Sequence, residues 1–201
     1  LARHFGRHPQ RVLDCGCGTG IYAQCFSPGV YVGIDKCSAY ISHARHRQPE
    51  YRFQVMDATR LAFADNSFDA VIVCGVVHHL DQATTECMLA EIARVLQPDG
   101  ALLLWEDVPT RDPLNLLGHL VHQLDVGAHI RPACEYAELL APFFEIEATE
   151  SLRSGFMDYT AFKARKSARH ASSNRLASLL PAKCVPAAPL PTSGLLSNGS
   201  A

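Results

Sequence analysis

Along the chain, apolar residues come as short uninterrupted runs, separated by longer stretches with helical spacing. Arg11-Val12-Leu13-Asp14 opens the series, and Val30-Tyr31-Val32-Gly33-Ile34 follows, stopped by Asp35. Tyr51-Arg52-Phe53-Gln54-Val55, Phe68-Asp69-Ala70-Val71-Ile72-Val73-Cys74 and Ala101-Leu102-Leu103-Leu104-Trp105 continue it. Runs without polar alternation suit strands covered on both faces of a parallel sheet. Between them Ser38 caps a helix running through Arg47. Asp81 caps a second helix, whose Met88, Leu89, Ile92, Val95 and Leu96 share one stripe. Gln97-Pro98-Asp99-Gly100 reads as the turn that stops it. Residues 114–126 and 133–140 read as further helices, and 145–152 with 159–164 as a closing hairpin. Strand and helix alternating over short links imply right-handed crossovers. The expected fold is α/β: a Rossmann-like, doubly wound, mostly parallel seven-stranded sheet with a C-terminal antiparallel strand.

Composition narrows this picture. The chain has 201 residues, 48% hydrophobic and 19% charged, which is enough apolar material for one folded domain and excludes wholesale disorder. The longest uncharged apolar run, residues 70–80, is shorter than the ~18 residues of a membrane span, so no span is expected. The net charge of −2 hides an uneven distribution: residues 1–158 carry 12 basic against 20 acidic side chains, and the rest carries six basic residues and no acid. Residues 1–166 are therefore expected to form the domain, and 167–201 a disordered basic tail rich in Ser, Ala and Pro. An acidic body argues against a nucleic-acid partner. Eight cysteines without paired Cys-x-x-Cys spacing, after an opening Leu1-Ala2-Arg3-His4 that lacks a leader pattern, point to free thiols, no metal and a cytoplasmic location.

The candidate chemistry lies where the strands end. In an open α/β sheet, ligands bind beyond the carboxyl ends of the strands, where strand order reverses. The first strand runs into Asp14-Cys15-Gly16-Cys17-Gly18-Thr19-Gly20. Its alternating glycines allow a tight turn and close approach of backbone to ligand, and a helix after the loop would offer free N–H groups. The dinucleotide fingerprint needs Gly where Ile21 stands, and no Gly-Lys-Ser/Thr follows, so neither a dehydrogenase nor a P-loop fits. Asp35, ending the second strand, is placed to accept from both hydroxyls of a ribose. Asp57 can accept from an adenine amino group, with small Ala58 leaving room for the ring. Each acid alone also reads as an ordinary turn acid. Together they outline a pocket for adenosine with a charged tail.

Residues 12–20 resemble motif I of the class I S-adenosylmethionine-dependent methyltransferases. Gly33-Ile34-Asp35 resembles their ribose-binding acid, Met56-Asp57-Ala58 their adenine-contacting motif, Phe68 to Cys74 their fourth strand, and Leu96-Gln97-Pro98-Asp99-Gly100 the turn before strand five. The resemblance runs from about Arg11 to Lys166 and is strongest to the branch that methylates small molecules such as quinone and lipid precursors. It implies S-adenosyl-L-methionine as cofactor. Asp14, Gly16, Gly18 and Gly20 would hold its methionine part, Asp35 the ribose, and Asp57 with Ala58 the adenine. Lys36 and Cys74 are counted with them as cofactor-binding. It also implies a substrate-covering insertion over residues 107–131. Members usually have another helix before motif I, where this chain has ten residues, and Pro98-Asp99-Gly100 replaces a Pro-Gly-Gly turn.

His78 and His79 follow the fourth strand and are the candidate general bases; the alternative is a histidine packed or hydrogen-bonded at the strand end. Trp105, Glu106 and Asp107 would line the acceptor pocket or serve as a core Trp and solvated acids. His119 and His122 have a metal-compatible spacing without a third ligand. Arg131 would face an anionic acceptor or end a helix in solvent. The function expected is methyl transfer to a small-molecule acceptor. The alternatives are an RNA or protein acceptor, favoured only by a basic strip beside the pocket, and a non-catalytic cofactor-binding remnant.

Overall fold

The computed structural model describes residues 5, 9–110, 112, 115, 129–155 and 157–167. Seven strands, β1 (Val12–Cys15), β2 (Tyr31–Asp35), β3 (Arg52–Val55), β4 (Phe68–Cys74), β5 (Leu96–Val108), β6 (Phe144–Ser154) and β7 (Met157–Lys166), form one sheet ordered β3-β2-β1-β4-β5-β7-β6. β1 to β5 are mutually parallel, and β7 runs antiparallel to both β5 and β6. This is the expected Rossmann-like architecture.

The continuous apolar runs have the predicted cause. All four residues of β1 are buried, and β4 is buried at Phe68 and from Ala70 through Val73. On one face Leu13, Val71, Val73, Leu102 and Leu104 pack under α2 (Gln82–Val95) and α3 (Ala133–Leu140). On the other, Val12, Tyr31, Phe53 and Ile72 pack with Ile41 and Ala44 of α1 (Ser38–Arg47). Asp81 caps α2 as expected, its Oδ1 accepting from the Thr84 N–H at 2.7 Å. The loop between β3 and β4 is tied to α2 by buried Glu91, which accepts from the Leu61 N–H at 2.7 Å, and by Arg94, which donates to Leu61 O and Phe63 O.

Four local expectations are corrected. The glycine loop is followed by a single 3-10 turn, Ala23–Cys25, and not by an α-helix. Ser27-Pro28-Gly29 lies too close behind it, because Pro28 has no N–H and biases Ser27 away from helical geometry. Cys37, not Ser38, is the N-cap of α1. Residues 97–100 lie within β5: Leu96 pairs with Phe68 and Ala101 with Ala70, so the intervening residues bulge from the ladder. Finally, Cys15, Cys17, Cys25, Cys37, Cys74 and Cys134 are free thiols, but Cys87 on α2 is disulfide-bonded. The helix expected over 114–126, His119, His122, most of the 107–131 insertion and nearly all of the 167–201 tail lie outside the described residues. No described helix is long and apolar enough to cross a membrane.

Candidate active site at the strand carboxyl ends

Strand order reverses between β1 and β4, so the crevice lies beyond their carboxyl ends. The loop after β1 is held against β2, with the N–H groups of Gly16 and Cys17 donating to Ile34 O at 2.8 and 2.9 Å. Gly16, Gly18 and Gly20 all have positive φ, yet they face different surroundings. A Cβ on Gly16 would lie 2.4 Å from Val76 Cγ2, and one on Gly20 2.6 Å from the Phe53 ring. A Cβ on Gly18 would meet nothing within 4 Å. Gly16 and Gly20 are therefore explained by packing, whereas Gly18 borders open space where a ligand can approach.

Asp35 fastens the loop from the other side. Its Oδ2 accepts from the Gly18 N–H at 3.0 Å and its Oδ1 from the Cys37 N–H at 2.8 Å. Asp14 is buried, and its Oδ2 accepts from the Tyr31 hydroxyl at 2.6 Å. Its Oδ1 is buried with no hydrogen-bond partner. Burial pushes the Asp14 carboxyl up to about 7, against the lowering effect of the Tyr31 bond and with a further push from the Asp35 charge. Tyr31 was not singled out from the sequence, and its place inside an apolar run marks it only as core.

The remaining predicted contacts lie at or just past the carboxyl ends of β2, β3 and β4. Lys36 is exposed. Asp57 is exposed and forms a turn, its Oδ1 accepting from Thr59 N and Oγ1 at 2.9 and 2.8 Å, while Ala58 is half-buried against the core. Cys74 is half-buried at the end of β4, opposite Trp105. Burial, with a contribution from the Asp14 charge, pushes its thiol well up, so the sulfur stays neutral.

The two histidines differ. They sit on a 3-10 turn, Val77–His79, just past β4, with ring centroids 4.0 Å apart. His78 is buried and His79 exposed. His78 Nδ1 lies 2.8 Å from Oε2 of Glu106, and Glu106 Oε1 accepts from the N–H groups of Val76 and Val77 at 3.0 and 2.8 Å. Glu106 is fully buried, so the expectation of a solvated acid is overturned. The half-exposed Trp105 stacks edge-on with Tyr159, and Asp107 offers its carbonyl to the Tyr136 hydroxyl. Arg131 is half-buried rather than a freely solvated helix end. Its guanidinium donates to the carbonyls of Val77, Leu80 and His129 at 3.1, 2.8 and 3.1 Å, clamping the histidine turn.

Comparison with known proteins gives a consistent result. Residues 13–104 match the family described as "Methyltransferase domain". The chain is 39% identical over 95 residues to "Probable tRNA methyltransferase 9B" of Mus musculus, covering 47% of this chain and 21% of that protein. It is 37% identical over 105 residues to the demethylmenaquinone methyltransferase of Beutenbergia cavernae, covering 51% and 43%. The matched segments thus span less than half the length of either relative. In the crystal structure of an S-adenosylmethionine-dependent methyltransferase from Methanosarcina mazei, 82% of this chain superposes on 95% of that chain with a TM-score of 0.69 at 22% identity, a likeness of fold.

Proposed function

Because residues 13–104 belong to the methyltransferase-domain family of the class I S-adenosylmethionine-dependent superfamily, we propose that the chain transfers a methyl group to a small-molecule acceptor. The observation that carries this reading is the pairing, at one switch point, of Asp35 bound to the Gly18 amide with the unpartnered Asp14 Oδ1. A buried carboxylate oxygen without a donor is a standing penalty that an ammonium group relieves. The open space above Gly18 lets a ligand reach the loop backbone. The residues present fit the cofactor's methionine end and ribose, with Asp57 and Ala58 at the adenine end. In this reading residues 1–166 form the catalytic domain.

The bound sulfonium supplies an already activated methyl group. The protein's task is then to fix an acceptor in line with it, and orientation of that kind contributes up to ~7–11 kcal/mol. His78, at the end of β4, takes the acceptor's proton where the acceptor arrives as a phenol or amine. The demethylmenaquinone and fatty-acid methyltransferases among the relatives support an acceptor of quinol or lipid type.

A second reading, an RNA acceptor, is favoured by one surface. The body is acidic, yet α1 contains no acid and carries Arg45, His46 and Arg47 in its last turn. Exposed Lys36 precedes the helix, exposed Arg52 lies on the neighbouring edge strand, and Tyr40 on α1 is 52% exposed. This basic strip with an aromatic starts at Lys36 beside the crevice and runs along α1 to Arg52 at the amino end of β3, and such a strip suits a nucleic-acid backbone.

The test begins with calorimetric titration of S-adenosylmethionine into the chain and into Asp35→Ala. Binding that the substitution weakens about 30-fold or more is expected. Product formation is then measured with a reduced naphthoquinone and with bulk tRNA. Turnover of the quinol supports the first reading. Turnover of tRNA alone, falling steeply with salt and on Arg47→Glu, replaces it with the second. Absence of cofactor binding by the folded chain removes both.

A further inference from the structure

The carboxylate of Glu106 is engaged on every side. Besides Val76 N, Val77 N and His78 Nδ1, its Oε2 lies 3.4 Å from the His78 N–H, so one fully buried side chain gathers the whole start of the histidine turn. The turn is fixed from elsewhere too: Arg131 holds the Val77 and Leu80 carbonyls, and the His129 N–H donates to His78 O at 3.0 Å. The His78 Cε1 edge lies 3.7 Å from the Cβ position of Gly75, which places the ring at the carboxyl end of β4. Val76 connects this unit to the glycine loop, since its side chain is what forbids a Cβ on Gly16.

A carboxylate only accepts, so the nitrogen 2.8 Å from it must carry the hydrogen. In a neutral imidazole the other ring nitrogen then holds the lone pair. We propose that Glu106 is a positioning residue that holds His78 in the Nδ1–H tautomer at the end of β4, making Nε2 the proton-accepting atom of the site. This rests on the reading of His78 as the base. In the step it serves, the acceptor's proton passes to Nε2, its lone pair forms the new bond to the methyl carbon, and the carbon–sulfur pair remains on sulfur. Glu106 balances the imidazolium that forms. No further reactant is required.

The tautomer is read directly by long-range proton–nitrogen NMR on the full chain labelled with nitrogen-15 in its histidines, with His78→Gln assigning the signal. Wild type is expected to show the Nδ1–H pattern for His78. Glu106→Gln is expected to lose the single-tautomer pattern, and Glu106→Asp to restore it at least in part, which a purely structural role would not produce. An Nε2–H pattern in wild type overturns the proposal, and so does an unchanged pattern in Glu106→Gln. If Glu106→Gln does not fold, the wild-type and Glu106→Asp spectra still decide it. Quinol turnover that survives in His78→Gln, with the tautomer as expected, refutes the base reading and leaves the positioning role intact.

Discussion

The two halves of the crevice are built by different means. At the ends of β1 and β2 the working groups are backbone amides and carboxylates within 22 residues of one another, Asp14 to Asp35, and the loop is shaped by the backbone itself. At the ends of β4 and β5 the unit is made of side chains far apart in sequence. His78 meets Glu106 28 residues on, and Arg131 reaches back 54 residues to Val77. The first kind of site tolerates almost no change in backbone and is visible as a motif. The second depends on buried hydrogen bonds that satisfy one another, and it has no local signature.

The comparison can be broken most forcefully where the halves touch. Gly16→Ala adds a Cβ at φ +76 that would sit 2.4 Å from a short, branched Val76 side chain. It is expected to destabilise the fold by about 3 kcal/mol in urea denaturation and to disturb both halves. Gly18→Ala has no such neighbour, so it is expected to cost about 1 kcal/mol and to act mainly on cofactor affinity. Equal losses of stability in the two variants would refute the distinction.

Next comes the carboxylate of the first half. Asp35→Ala removes the acceptor of the Gly18 and Cys37 amides together with the proposed ribose partner. Cofactor affinity is expected to fall about 30-fold or more by calorimetry, in line with ~2 kcal/mol for charged hydrogen bonds.

The second half is probed by Arg131→Ala. It deletes the donor to Val77, Leu80 and His129 carbonyls and is expected to lower stability by about 1–2 kcal/mol, with cofactor affinity unchanged. A loss of affinity as large as that of Asp35→Ala would mean that the halves act as one unit.

The finest probe is pH. The Asp14 carboxyl stands at about 7 in the fold against an ordinary value of 3.8. Folding therefore favours its protonated form, and its contribution to stability is complete below about pH 4 and is lost as pH rises through 7. Cofactor-free wild type is expected to lose stability relative to Asp14→Asn across that window in denaturation series at stepped pH. A difference that stays flat, or that grows in favour of wild type, would contradict the burial argument.

What the sequence determined by itself follows from short-range rules. Continuous apolar runs of strand length specify a sheet buried on both faces, and their alternation with capped helices specifies parallel crossovers. Asp81 capping α2 needs only the residues beside it. The glycine loop and Asp35 were legible because backbone constraints bind residue type to position. The tertiary structure decided the rest. Whether residues after Gly20 had room for a helix depended on Pro28, and whether Asp14 was solvated or buried depended on Tyr31 lying against it across the sheet. Glu106 has the same local sequence whether it is a solvated rim acid or a fully buried partner of His78. That choice is made only when β5 pairs with β4 and brings the carboxylate beneath the histidine turn, because the free energy of a buried polar group is set by neighbours that chain order does not name.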